Sequence, residues 1–199
     1  MMQSREITKE QIEALSPLQY SGEIVLATGA EHIAECLDEI GRSALVGFDT
    51  ESRPSFRKGE FNHVALVQVA TEERVYILRI LKTGLGDPFI GFLGSETTLK
   101  IGIAIDDDLN ALRKRRFFRP AGFVDLNKVA PALGYKNIGA RNLSALILGG
   151  RISKSQQRSH WDNLPLSEAQ LRYAATDAWI CLRIYKKLLE RGELPVKRK

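Results

Sequence analysis

Apolar residues recur along this chain with two different periods, and the changes of period mark out the elements. Near the start, Thr8-Lys9-Glu10-Gln11 has the spacing of a capping box and predicts a short helix that stops near Ser16-Pro17. Residues 23–28 read as a strand. Residues 31–40 read as a helix closed by Gly41, with Ile33, Leu37 and Ile40 on one face. Residues 44–48, Ala-Leu-Val-Gly-Phe, are apolar without alternation, which is how a strand covered on both faces reads. Strands over 63–70 and 74–81 are close enough for a hairpin across 71–73. Residues 99–105 predict a further strand running into a helix from about Asp106. Residues 122–125 predict a short strand, followed by helices near 126–133 and 140–148. Ser167-Glu168-Ala169-Gln170 repeats the capping-box spacing and opens the longest helix, reaching about Glu190. Paired strands early and strand–helix alternation later imply an α/β fold: a mixed sheet flanked by helices. No repeat is visible, so the expected organisation is an N-terminal appendage over 1–20, one domain over 21–192 and a basic tail over 193–199.

Within this frame four acidic positions conflict with their surroundings. Asp49 and Glu51 follow the apolar strand, and side chains alternate along a strand, so both point to one face. Carboxylates on so apolar a strand need compensation, because an unpaired buried charge costs several kcal/mol or more. The alternative is that the strand has already emerged into a turn. Asp106, Asp107 and Asp108 open a helix, where acids also serve as caps. Asp108 shares a helical face with Ala111 and Leu112 and leans inward. In the last helix, Leu171, Ala175, Ala178, Leu182, Tyr185 and Leu189 form the apolar stripe. Asp177 lies beside it in register with Cys181, Ile184 and Leu188, whereas Arg172, Thr176, Arg183 and Lys187 mark the expected exposed side. Tyr173 sits one turn before Asp177.

Oxygen ligands without a Cys/His cluster suit magnesium or manganese. Two such ions about 3.5–4 Å apart can activate water and stabilise a leaving oxygen. Net charge is +5, and basic residues gather at Arg53/Arg57/Lys58, Arg113 to Arg116 with Arg119, Arg151/Lys154/Arg158, and Lys197-Arg198-Lys199. Each group is either a solvated surface or a phosphate contact. Carboxylates from separate elements, a nearby tyrosine and basic flanks point to metal-dependent phosphodiester hydrolysis. The two cysteines, Cys36 and Cys181, fall in helices and read as core residues suited to a reducing compartment. No apolar run approaches a membrane span, so a soluble cytoplasmic protein is expected.

Three segments also resemble the motifs of the DEDD exonuclease superfamily: Gly47-Phe48-Asp49-Thr50-Glu51, then residues 102–112 with Asp108 at the catalytic position, then Tyr173-Ala174-Ala175-Thr176-Asp177. Arg172 stands where a histidine-type member carries its histidine, so the resemblance is to the tyrosine subclass (DEDDy). Residues 64–69 and 158–166 resemble segments of the Werner syndrome helicase exonuclease domain, and ribonuclease D shares much of this. The resemblance implies a ribonuclease H-like three-layer fold and 3′-to-5′ release of nucleoside monophosphates, with DNA slightly ahead of RNA as polymer. It implies that Asp49, Glu51 and Asp177 ligate one metal and Asp49 a second. Asp108 would support the site directly or through water, and Tyr173 would orient the attacking water. Thr50, Lys154, Arg158 and Trp161 are the candidate substrate contacts, with a packed loop closed by Trp161 as the competing reading of 154–161. Three rivals stand beside this. One is an exonuclease-like binding module without turnover, and another an RNA-trimming ribonuclease D-like enzyme. The third is a haloacid-dehalogenase-type phosphatase, which would need an Asp where Glu51 stands.

Overall fold

The computed structural model describes residues 5–54 and 62–194, so Arg57, Lys58 and the 197–199 tail lie outside the described residues. Six strands form one mixed sheet: β1 (Glu23–Ala27), β2 (Leu45–Ser52), β3 (Val64–Ala70), β4 (Arg74–Arg79), β5 (Leu99–Gly102) and β6 (Phe123–Asp125). Their spatial order is β1-β4-β3-β2-β5-β6. The predicted hairpin is present as the antiparallel pair β3–β4, and β3 also pairs antiparallel with β2. The outer pairs β1–β4, β2–β5 and β5–β6 are parallel. Helices join them: α1 (Lys9–Glu13), α2 (Ala30–Ile40), α3 (Ile80–Thr83), α4 (Asp87–Gly94), α5 (Asp106–Arg115), α6 (Leu126–Ala132), α7 (Ala140–Leu143) and α8 (Glu168–Glu190). Both capping boxes form, at Thr8/Gln11 and Ser167/Gln170.

The alternation of β2 divides the structure. Val46 and Phe48 enter a core built with α2, α4 and α5. Gly47, Asp49 and Glu51 take the opposite face by parity, under α8. There the helix comes so close that a Cβ on Gly47 would stand 2.0 Å from the Ala178 carbonyl oxygen. The missing side chain at 47 therefore sets how near α8 lies to β2.

The structure corrects three expectations and adds a helix that the sequence did not signal. Strand β5 stops at Gly102 and does not reach 105. Ala104 turns into the left-handed region (φ 59°), where its N–H donates to Asp125 Oδ1 at 2.9 Å, and the chain swings directly into α5. The helix over 140–148 is two pieces, α7 and then a wider π turn over Ser144–Leu148. Helix α4, Asp-Pro-Phe-Ile-Gly-Phe-Leu-Gly, carried no readable period, since apolar residues and glycines surround it on all sides. Thr176 is buried, not exposed, because the segment before β1 covers it: Tyr20 N donates to Thr176 Oγ1 at 3.0 Å.

That N-terminal segment is strapped to the body. Leu18 N donates to Arg151 O (2.8 Å) and Arg151 N to Ser16 O (3.0 Å). Ile7 N donates to Asn137 Oδ1 at 3.0 Å, and Ile12 is buried. Replacing Gly47 by Ala is expected to destabilise the protein by about 1–3 kcal/mol or more, since backbone and not a flexible side chain would have to yield. The urea midpoint reads this; an unchanged midpoint would mean that α8 can shift away from β2 freely.

Candidate active site

Asp49 and Glu51 remain inside β2, which continues to Ser52, so the strand has not emerged into a turn. Helix α8 runs over them so that Asp177 and Tyr173 come down beside the strand's acidic end. Asp49, Glu51 and Asp177 each bring a carboxylate oxygen within 4.8 Å of the others, which is a spacing at which they could hold a metal ion. All three are half-buried. The Tyr173 phenol stands beside Asp177, close enough for each to act on the other's proton affinity, and its ring packs on Trp161 with centroids 5.9 Å apart.

Asp108 belongs to the neighbourhood but not to this trio. Thr50, between the two strand acids, points to the other face of β2, where its hydroxyl donates to Asp108 Oδ1 at 2.5 Å. Thr50 thus connects α5 to the site. Lys154 lines the same cleft, of about 360 Å³, as Asp49, Glu51, Tyr173 and Asp177. Trp161 does not: it is fully buried, packs between Ala65, Leu66, Ile77 and Ala174, and backs Tyr173. As a direct substrate contact it is corrected, because no ring face is open to a strand. Arg158 is exposed and does not line the cleft. Of the second basic group, Arg115 is spent on the carbonyls of Val64 and Leu81 and Arg116 on that of Leu85, so these tie α5 to the body.

Two residues escaped the sequence reading. Gln68 pairs across the ladder with Asp49 and is fully buried, yet its amide oxygen and nitrogen have no hydrogen-bond partner among the described residues. Its signal was a single polar residue in a seven-residue strand that is otherwise apolar. Arg141 lines the cleft from α7; as an isolated arginine in a helix it carried no signal.

Burial acts on every acid here, and neighbouring carboxylates add to it at Asp49, Glu51 and Asp108. Desolvation, then Asp177, Asp108 and Glu51, push the Asp49 carboxyl far above the usual carboxylate range. Desolvation first and the neighbouring acids second raise Glu51 to about 9. Desolvation raises Asp177 to about 7, against the hydrogen bond from Tyr173. Asp108 rises to about 6, mainly by desolvation and against the Thr50 bond. The Tyr173 phenol is also pushed up, by burial and then by Asp177 and Glu51. It therefore stays protonated and donates. Such a cluster asks for cationic charge, and a divalent ion bound by oxygen ligands supplies it.

A sequence profile described as 3′-5′ exonuclease matches residues 24–193. The chain belongs to this 3′-5′ exonuclease family. A relative named Ribonuclease D, from Gluconacetobacter diazotrophicus, is 30% identical over 171 residues, covering 85% of this chain and 43% of the relative. The mouse (Mus musculus) protein named Bifunctional 3′-5′ exonuclease/ATP-dependent helicase WRN is 30% identical over 187 residues, 88% of this chain and 13% of that one. The chain thus spans less than half the length of these relatives. Among solved structures, the Aedes aegypti Nibbler EXO domain superposes with a TM-score of 0.76 at 25% identity, covering 87% of this chain and 94% of that one. The sheet and its flanking helices are accordingly the exonuclease family's ribonuclease H-like fold. No helix of the described residues is long and apolar enough to cross a membrane.

The raised carboxyls give a pH prediction. Their ordinary values are 3.8 for Asp and 4.5 for Glu. Between those and the raised values the folded state binds more protons than the unfolded one. The cluster's contribution is therefore fully present below about pH 4 and is lost as pH rises through about 7 for Asp177. Metal-free Asp177→Asn should gain on the wild type progressively from about pH 4 upward, with its Tm higher by about 2–6 °C at pH 8. A divalent ion should raise the wild-type Tm more at pH 8 than at pH 5.5. Parallel Tm-against-pH curves for the two proteins would contradict the repulsion.

Proposed function

We propose that this chain is a 3′-5′ exonuclease of the tyrosine (DEDDy) subclass, releasing nucleoside monophosphates from the 3′ end of a nucleic-acid strand by two-metal-ion hydrolysis. The observation that carries this reading is the convergence of Asp49 and Glu51 from β2 with Asp177 from α8, their oxygens within 4.8 Å in an open cleft that Tyr173 shares.

The carboxylate set suits two magnesium or manganese ions, which supply positive charge to ionise a water and to neutralise the phosphoryl and leaving oxygens. Asp49, Glu51 and Asp177 would hold one ion, and Asp49 would reach the second. Asp108, held by Thr50, would act on that side directly or through water. Tyr173, whose phenol stays protonated, stands beside Asp177 and would orient the attacking water by its hydroxyl. It is a positioning donor and not a base. Lys154 extends into the cleft with a charge suited to the strand's phosphates. DNA stays ahead of RNA as polymer, on the resemblance of residues 64–69 and 158–166 to the helicase-linked exonuclease. A domain over 21–192 carries the activity in this reading.

The test follows end-labelled DNA and RNA, single- and double-stranded, over time with each metal and with a chelator. A ladder shortening from the 3′ end, abolished by chelator and restored by magnesium or manganese, is expected; strand binding without turnover would instead identify a non-hydrolysing module. Asp49→Asn and Asp177→Asn should each cost about 10³-fold in kcat, since a lost ligand removes several kcal/mol of charge stabilisation at about 1.4 kcal/mol per tenfold. Tyr173→Phe should cost less, about 10- to 100-fold, because the charges remain and only the water's placement suffers. Equal losses for Tyr173→Phe and Asp49→Asn would show that the tyrosine does more than position.

A further inference from the structure

The cleft has a second rim. Besides the acids it is walled by Ile138, Gly139, Ala140, Arg141 and Asn142, at the start of α7. This rim is held in place. Gly139 N donates to Asn127 Oδ1 at 2.8 Å, and Asn142 Nδ2 donates to the Ile138 carbonyl at 2.7 Å. Two features of it lack an internal use. Ile138 is one of few large apolar side chains left open to solvent, 41% exposed, and it lines the cleft. Arg141 keeps its Nε buried without a hydrogen-bond partner among the described residues. Among the described residues its charge contact is Glu13 of α1, with Nη2 to Oε1 at 3.7 Å.

The Arg141 side chain keeps 28% of its surface open and lines the cleft, so the open end of its guanidinium, and not the buried Nε, is what a ligand meets. An ion pair as long and as exposed as Arg141–Glu13 contributes little and is easily displaced. The anion that fits has oxygens to span the guanidinium fork, as a phosphate does. Beside it, an open isoleucine face suits the flat, apolar surface of a base.

We propose that Ile138 and Arg141 form a nucleotide subsite, with an internucleotide phosphate of the bound strand on Arg141 and the adjoining base against Ile138. Glu13 occupies Arg141 until the strand arrives. This deepens, and rests on, the nuclease reading above. It also gives the N-terminal helix α1 a role, since its carboxylate competes with the substrate.

Binding of a fluorescently labelled single-stranded oligonucleotide, read by anisotropy across a salt series, tests it alongside steady-state hydrolysis by the same full-length proteins. Arg141→Gln should weaken binding about 5- to 10-fold and raise KM with kcat little changed. It should also make the log–log salt slope shallower by about 0.7, the share of one phosphate on a single strand. Arg141→Lys should keep the slope and lose part of the affinity, because the ammonium retains charge but has no fork. Ile138→Ser should weaken binding about 2- to 5-fold with the slope intact. Glu13→Gln should tighten binding about twofold, a direction that damage to the fold cannot produce. Arg141→Gln with wild-type affinity, KM and slope overturns the subsite while hydrolysis still upholds the nuclease. Binding that follows this pattern without hydrolysis overturns the catalytic reading alone. A wild-type chain that holds no strand at any salt overturns both.

Discussion

Mutual repulsion among carboxylates in a half-buried cleft is the constraint around which this molecule is organised. Asp49, Glu51 and Asp177 are drawn together, with Asp108 close enough to add to the repulsion, and burial raises every one of their proton affinities. Nothing local favours that arrangement. It persists because the elements bearing the acids are fixed by apolar packing on both faces: Val46 and Phe48 below β2, and Ala174, Ala175 and Ala178 of α8 above the sheet. The core supplies the force that holds the charges in place, and the trio could hold a metal ion that would relieve it.

The closeness depends on small residues. Gly47 brings the α8 backbone down onto β2, and the alanines of α8 keep that contact thin. A thicker contact would lift Asp177 and Tyr173 away from Asp49 and Glu51 without altering any of the four. Trp161 serves the same geometry from outside, fully buried against the Tyr173 ring and holding it toward Asp177.

The alternation of one strand assigns the remaining parts. Asp49 and Glu51 face α8, so Thr50 must face α5, where it takes hold of Asp108. The second acidic motif is thereby joined to the first through a hydroxyl, and it remains outside the trio. The segment before β1 completes the surroundings: it covers Thr176 and pins the strand-like stretch at Arg151, and through Glu13 it reaches Arg141 of the cleft lining. Through Pro17, Leu18 and Gln19 the same segment lines a cavity that Tyr173 and Asp177 also line.

Residue type and spacing alone determined the elements whose signal is local. The two capping boxes, the β3–β4 hairpin, the unalternating strand at 45–48 and the 23-residue helix α8 all follow from side-chain period and backbone hydrogen-bonding needs. The acids, too, were legible as charges placed where apolar neighbours made them expensive. What depended on partners remote in the chain was not legible. Strand β5 ends early because Asp125 captures the Ala104 N–H, 21 residues away. Thr176 is buried by Tyr20, 156 residues away. Trp161 and Lys154 sit in one segment, yet packing turns one inward and leaves the other in the cleft. Gln68 and Arg141 acquire meaning only where the fold leaves the Gln68 amide and the Arg141 Nε without partners among the described residues. A sequence records which groups are costly to bury; only the assembled structure decides which of those costs stay unanswered, because the answering groups arrive from elsewhere in the chain.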